Sequence, residues 1–122
     1  MRSIQRLLVV GDRVLVTPED PAAMTKSGLY LPPGVQEREK IQSGYVVKTG
    51  PGYALPNPEY SEEEPWARKG APVRYIPLQV EEGDYVLFMK NQGIEVEFEQ
   101  QKYLIVPHAA ILLIVRNEVV TQ

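Results

Sequence analysis

The sequence predicts an all-β fold, a small β-barrel, on three observations. Its apolar residues fall in short runs of strand length, Gly and Pro separate the runs, and no stretch carries the apolar period of a long helix. The clearest run is Ile94-Glu95-Val96-Glu97-Phe98, whose period of two lets an apolar face pack inward while the glutamates face water. A length of 122 residues suits one domain, 1–122, with room for a core but not for a second nucleotide-binding unit.

Taken in order, Leu7, Leu8, Val9 and Val10 precede a Gly11-Asp12 break, and residues 14–16 follow it, which reads as two strands or one strand with a bulge. Pro18 and Pro21 stop that run. Residues 17–28 are polar and small, without either regular period, and predict a mobile loop. Within the wider loop, about 17–36, sits an apolar island, Leu29-Tyr30-Leu31, closed by Pro32-Pro33-Gly34. Residues 44–49 are strand-like and end at the turn Gly50-Pro51-Gly52. Residues 51–66 then hold four prolines and Glu59, Glu62, Glu63 and Glu64 with no Lys or Arg, so an exposed insertion is expected, about 51–76 in all. After the turn at 81–84, residues 85–89 form a continuous apolar run that should cross the core. Residues 99–101 make a short connection to a strand at 103–106, and Ile111, Leu112, Leu113, Ile114 and Val115 form the last strand.

Charge and composition exclude several functions. The net charge is −3, and the four glutamates of the insertion account for all of it, leaving the remainder nearly neutral. No basic field is available to gather phosphate, so a nucleic-acid partner is not expected. The longest apolar run spans seven residues, 109–115, against roughly 20 needed to cross a bilayer, so no membrane role is expected. The basic and apolar start is broken at Gly11 before it reaches the length of an export signal. Cysteine is absent, which rules out disulfides and thiolate chemistry and favours a cytoplasmic location. His108 is the sole histidine, read as a turn or surface residue, so a His-based metal cluster is impossible. No nucleophile elbow, P-loop or dinucleotide fingerprint is present, and neither an enzyme activity nor a bound cofactor or metal is expected. Glu62-Glu63-Glu64 lacks the spaced oxygen ligands of a calcium loop and reads as a solvated face. Tyr53, Tyr60 and Trp66 read as a miniature core holding the insertion down, in preference to a sticky surface patch.

The order of these features resembles the chaperonin-10 (GroES-like) co-chaperonin family over almost the whole chain. Gly11-Asp12-Arg13-Val14-Leu15-Val16 looks like the family's first core strand, and Thr25-Lys26-Ser27-Gly28-Leu29-Tyr30-Leu31-Pro32 like its mobile loop with a hydrophobic tripeptide. Residues 44–50 and 77–88 are similar to the strands entering and leaving the roof hairpin, and 102–106 and 111–115 to the closing strands. The resemblance implies a dome of seven barrels that caps a chaperonin-60-type ring and assists ATP-dependent folding, with ATP bound by the partner. It assigns chaperonin binding to Thr25, Lys26, Ser27, Gly28, Leu29, Tyr30 and Leu31. It also implies that Leu7, Leu8, Val9 and Val10 of one subunit pair with Ile111, Leu112, Leu113, Ile114 and Val115 of the next.

Three stretches depart from the family pattern. Leu8-Val9-Val10-Gly11 stands where Arg-Pro-Leu is frequent, Pro107-His108-Ala109-Ala110 replaces a polar stretch, and residues 53–76 enlarge a short roof hairpin. The enlarged hairpin is expected to narrow or cover the roof opening. It also supplies the competing reading, a ring-forming barrel that binds a different partner through its acidic, proline-rich insertion.

Overall fold

The computed structural model describes residues 6–19, 28–55 and 74–117. Among these residues eight strands form: β1 (Arg13–Pro18), β2 (Ile41–Thr49), β3 (Tyr53–Leu55), β4 (Arg74–Ile76), β5 (Tyr85–Met89), β6 (Ile94–Phe98), β7 (Gln101–Pro107) and β8 (Ile111–Val115). Six of them make one antiparallel sheet in the order β6-β7-β1-β2-β5-β8, and β3 and β4 pair separately as a small hairpin.

Opposed residues in antiparallel strands share a face, so the register assigns the core. Val14 lies opposite Val106 and Val16 opposite Leu104, while Val86 and Phe88 come from β5. These six positions, with Val46, Val80 and Ala110, form the buried apolar cluster. Four consecutive residues of β5, Tyr85 to Phe88, are buried, which requires cover on both faces of the strand. The sheet therefore curls. Two irregularities in register assist the bending, one between Leu15 and Val16 against β2 and one between Leu87 and Phe88 against β8. The anticipated core-crossing run is confirmed, and so are the strands expected at 14–16, 44–49, 94–98, 103–106 and 111–115.

Three sequence expectations change. Residues 7–10 form no strand, because no ladder among the described residues offers them a partner. Strand β6 forms as expected, and Glu95 and Glu97 do reach water, but its apolar face does not enter the main core. Ile94 lies opposite Ile105, which lies opposite Leu15, on the side of the sheet away from Val14 and Val16. An edge strand has cover on one flank only, so no β6 residue is buried and Ile94 is 63% exposed. Finally, a helix of seven residues, α1 (Pro33–Glu39), follows the apolar island. Pro33 opens it at a position that needs no N–H donor, and Lys40 closes it in a left-handed conformation.

Glycine is required where the β3–β4 hairpin meets the sheet. Gly52 has φ +119°, and a Cβ there would overlap the carbonyl oxygen of Ile76. Its N–H donates to Gly11 O at 3.0 Å, fastening the hairpin to the turn before β1.

Candidate functional site

The apolar island lies between the end of β1 and the start of α1. Gly28 has φ +88° in a bend, Leu29 and Leu31 are half-buried, and Tyr30 is 58% exposed. Alternation explains this pattern: in extended backbone the middle residue points away from its neighbours. Leu31 is anchored from α1, since Gln36 Nε2 donates to its carbonyl oxygen at 2.8 Å. The N–H groups of Val35 and Gln36 donate to Pro32 O at 3.0 and 3.1 Å, so the return leg of the loop is tied to the helix directly after the island. Thr25, Lys26 and Ser27 lie outside the described residues.

A second group of apolar side chains is exposed at the other end of the chain's path. Leu8 and Val10 are 74% and 78% exposed, while Leu7 and Val9 turn toward the protein. Residues 7–10 border a cleft of about 350 Å³ with Leu15, Val96, Phe98 and Ile105, so they cover the face that β6 leaves open. Strand β8 is the opposite edge of the sheet, bonded to β5 on one side only. Its Leu112 and Leu113 are exposed, and Ile111, Ile114 and Val115 are partly buried. The structure does not bring 7–10 and 111–115 together within one chain; among the described residues β8 is paired on one side only and 7–10 join no ladder.

Two polar contacts position these segments, and neither is visible in sequence spacing. Arg116, one residue beyond β8, donates from Nε to Asp84 Oδ1 at 2.8 Å and from Nη2 to Asp84 Oδ2 at 2.6 Å. Nη2 also donates to Gln79 O at 3.0 Å. Asp84 is buried and accepts from the N–H of Glu81 at 2.8 Å. The hydrogen bonds from Arg116 hold its carboxyl below the usual carboxylate range against the opposing effect of burial, and the Glu81 N–H adds to the lowering. The end of β8 is thereby fixed to the turn before β5. At the hairpin root, Tyr53 Oη shares a hydrogen bond of 3.0 Å with His108 Nδ1, with the rings edge to face. His108 stands in the short 3-10 turn between β7 and β8, as a turn residue should, and its N–H donates to Asp12 O at 2.8 Å. Tyr53 thus contacts the body of the sheet; Tyr60 and Trp66, expected to join it in a miniature core, lie outside the described residues.

Among the described residues no three His, Asp or Glu side chains converge as a metal site, and no helix is long and apolar enough to cross a membrane. What the described residues do present is a curled antiparallel sheet with β8 at one edge, exposed apolar side chains at Leu8 and Val10, and an apolar tripeptide between β1 and α1. That combination defines an all-β module with exposed apolar side chains near both chain ends and on one loop.

Comparison with known proteins gives the module its family. The family described as the chaperonin 10 kDa subunit matches residues 6–115. The chain is 36% identical over 109 residues to the co-chaperonin GroES of Coprothermobacter proteolyticus, covering 89% of this chain and 94% of that one. It is 34% identical over 109 residues to the co-chaperonin GroES of Rhodothermus marinus, covering 89% and 91%. Against the co-chaperonin GroES of Cutibacterium acnes it is 38% identical over 106 residues, covering 87% and 91%. The chain belongs to the chaperonin 10 family, and its role is that of a co-chaperonin.

Proposed function

We propose that this co-chaperonin assembles into a closed ring, a heptamer, and caps a chaperonin-60-type ring through the tripeptides of its loops, in the cytoplasm and without catalysing a reaction itself. ATP is bound by the partner. Leu29, Tyr30 and Leu31 are the docking side chains, and Thr25, Lys26, Ser27 and Gly28 form the approach to them. In the ring, Leu7, Leu8, Val9 and Val10 of one subunit add a strand to the β8 edge of the next, Ile111, Leu112, Leu113, Ile114 and Val115. The exposed Leu8, Val10, Leu112 and Leu113 support this pairing, since two unpaired apolar edges favour aggregation in a monomer and are consumed by ring closure. The enlarged hairpin at the roof narrows the opening of the dome.

The observation that carries the reading is the exposed Tyr30 between two half-buried leucines, held at its C-terminal side by Gln36. Burying each large side chain of the tripeptide contributes roughly 1.5 to 3 kcal/mol. Ordering the loop costs about 1 to 2 kcal/mol per residue fixed. One loop therefore binds weakly, and several loops on one ring bind tightly because each contact raises the effective concentration of the next.

Leu29→Asp and Tyr30→Asp are the test. Both variants should keep the native mass of the assembled ring and lose co-sedimentation with a nucleotide-loaded chaperonin. Unchanged co-sedimentation of both would overturn the assignment of these residues.

A further inference from the structure

Strand β8 is interrupted along its length. Against β5, Leu113 lies opposite Leu87 and Ile111 opposite Phe88, so Leu112 is an extra residue with no place in the ladder. Such a bulge breaks the regular row of backbone groups. It also lets Ile111 and Ile114 both pack against the core, although strict alternation puts residues three apart on opposite faces. Regular edge is left at residues 113–115, opposite Leu87, Val86 and Tyr85. So short a stretch has few ladder bonds to hold it and opens readily.

Arg116, the next residue, opposes that opening. Its Nε and Nη2 donate to the two carboxylate oxygens of Asp84 at 2.8 and 2.6 Å, and Nη2 donates again to Gln79 O at 3.0 Å. A guanidinium bound in this forked way is fixed in direction as well as distance, which a lysine ammonium is not. A second carboxylate, Glu81, stands 3.8 Å from Nε. The receiving side is itself held. Gly83 N–H donates to Val46 O and Val46 N–H donates to Asp84 O, each at 2.8 Å, so the turn at 81–84 is bonded to β2, an interior strand. Arg116 therefore ties the end of β8 past its neighbour β5 to the middle of the sheet.

We infer that Arg116 is a positioning residue for subunit association: with the Leu112 bulge it delimits residues 113–115 as a preformed acceptor edge for the incoming strand of a second copy of this chain. This role rests on the reading of β8 as the acceptor edge of the ring. Strand addition to an open edge must first order it, so loss of the clamp weakens association even where the fold survives.

The test compares the full wild-type chain with Arg116→Gln, Arg116→Lys and Leu104→Ala, the last a core truncation in β7 that lowers stability without touching β8. Hydrogen exchange of residues 111–115 is measured in the dilute, monomeric chain, and the concentration of half-assembly is measured by native mass spectrometry. Arg116→Gln should raise both the exchange rate and the half-assembly concentration by about tenfold or more. Arg116→Lys should recover less than half of either change, because it keeps the charge and loses the fork, and Leu104→Ala should leave both close to wild type. Unchanged exchange or unchanged assembly in Arg116→Gln, full recovery by Arg116→Lys, or an equal effect of Leu104→Ala overturns the assignment. A wild-type chain that never assembles overturns the ring reading and the association role together, and the exchange data tell that result apart from a failure of the clamp.

Discussion

Gly52 and Asp84 show how single residues set the position of larger parts. A side chain at Gly52 meets both a φ of +119° and the Ile76 carbonyl oxygen, so Gly52→Ala should cost about 2 kcal/mol or more, read from the denaturant midpoint. The backbone there cannot yield without moving the hairpin root off Gly11. Asp84 acts through charge. Its carboxyl binds a proton less readily in the fold than in the unfolded chain, so its contribution is complete above about pH 3.9 and fades as the pH falls through the depressed folded value. Asp84→Asn should lower stability at pH 7 by about 1.5 to 3 kcal/mol, as expected when charge-assisted hydrogen bonds are lost. The difference between wild type and variant should shrink in denaturation series below about pH 3.9. A difference that stays constant down to pH 2 contradicts the role assigned to this ion pair.

The elements show which physical signals were local. Strand β6 is joined to β7 by Glu99 and Gln100, both at positive φ, +50° and +67°, with Phe98 paired to Gln101. This is the two-residue loop that favours Asn-Gly, and neither residue present is suited to it. Replacing the pair by Asn-Gly should stabilise the protein by about 1 kcal/mol in thermal or denaturant unfolding. The hairpin was legible because its strands alternate and its connection is short. Strands β5 and β8 were legible because a run of β-branched and aromatic residues of that length has few other uses. Helix α1 was harder to read: Pro33 fits a first turn, but Val35 by itself gives no apolar period to define a face. The destination of the β6 face was also hidden, because alternation shows that a strand has two faces and not which one meets the core. Residues 7–10 carry the composition of a strand, but a strand exists only with a partner, and the one proposed is another molecule. Arg116 and Asp84 stand 32 positions apart, and no local rule pairs them.

At the scale of the whole molecule, β8 forms a sheet edge, residues 7–10 lie outside the sheet, and Leu29-Tyr30-Leu31 lies between β1 and α1. The family and the co-chaperonin role were legible from the order of these parts along the chain, since the segments that resemble chaperonin-10 fall within residues 6–115 where the family matches. The geometry adds that Leu31 is anchored to α1 while Tyr30 faces outward, which is the arrangement the proposed docking uses. Association is the central claim, and native mass spectrometry tests it most directly, first on the chain alone and then with a chaperonin and nucleotide. The account predicts a discrete ring of seven subunits that joins the chaperonin as a unit only when nucleotide is present. A monomer that stays monomeric at micromolar concentration, or a ring that never joins a loaded chaperonin, would contradict it.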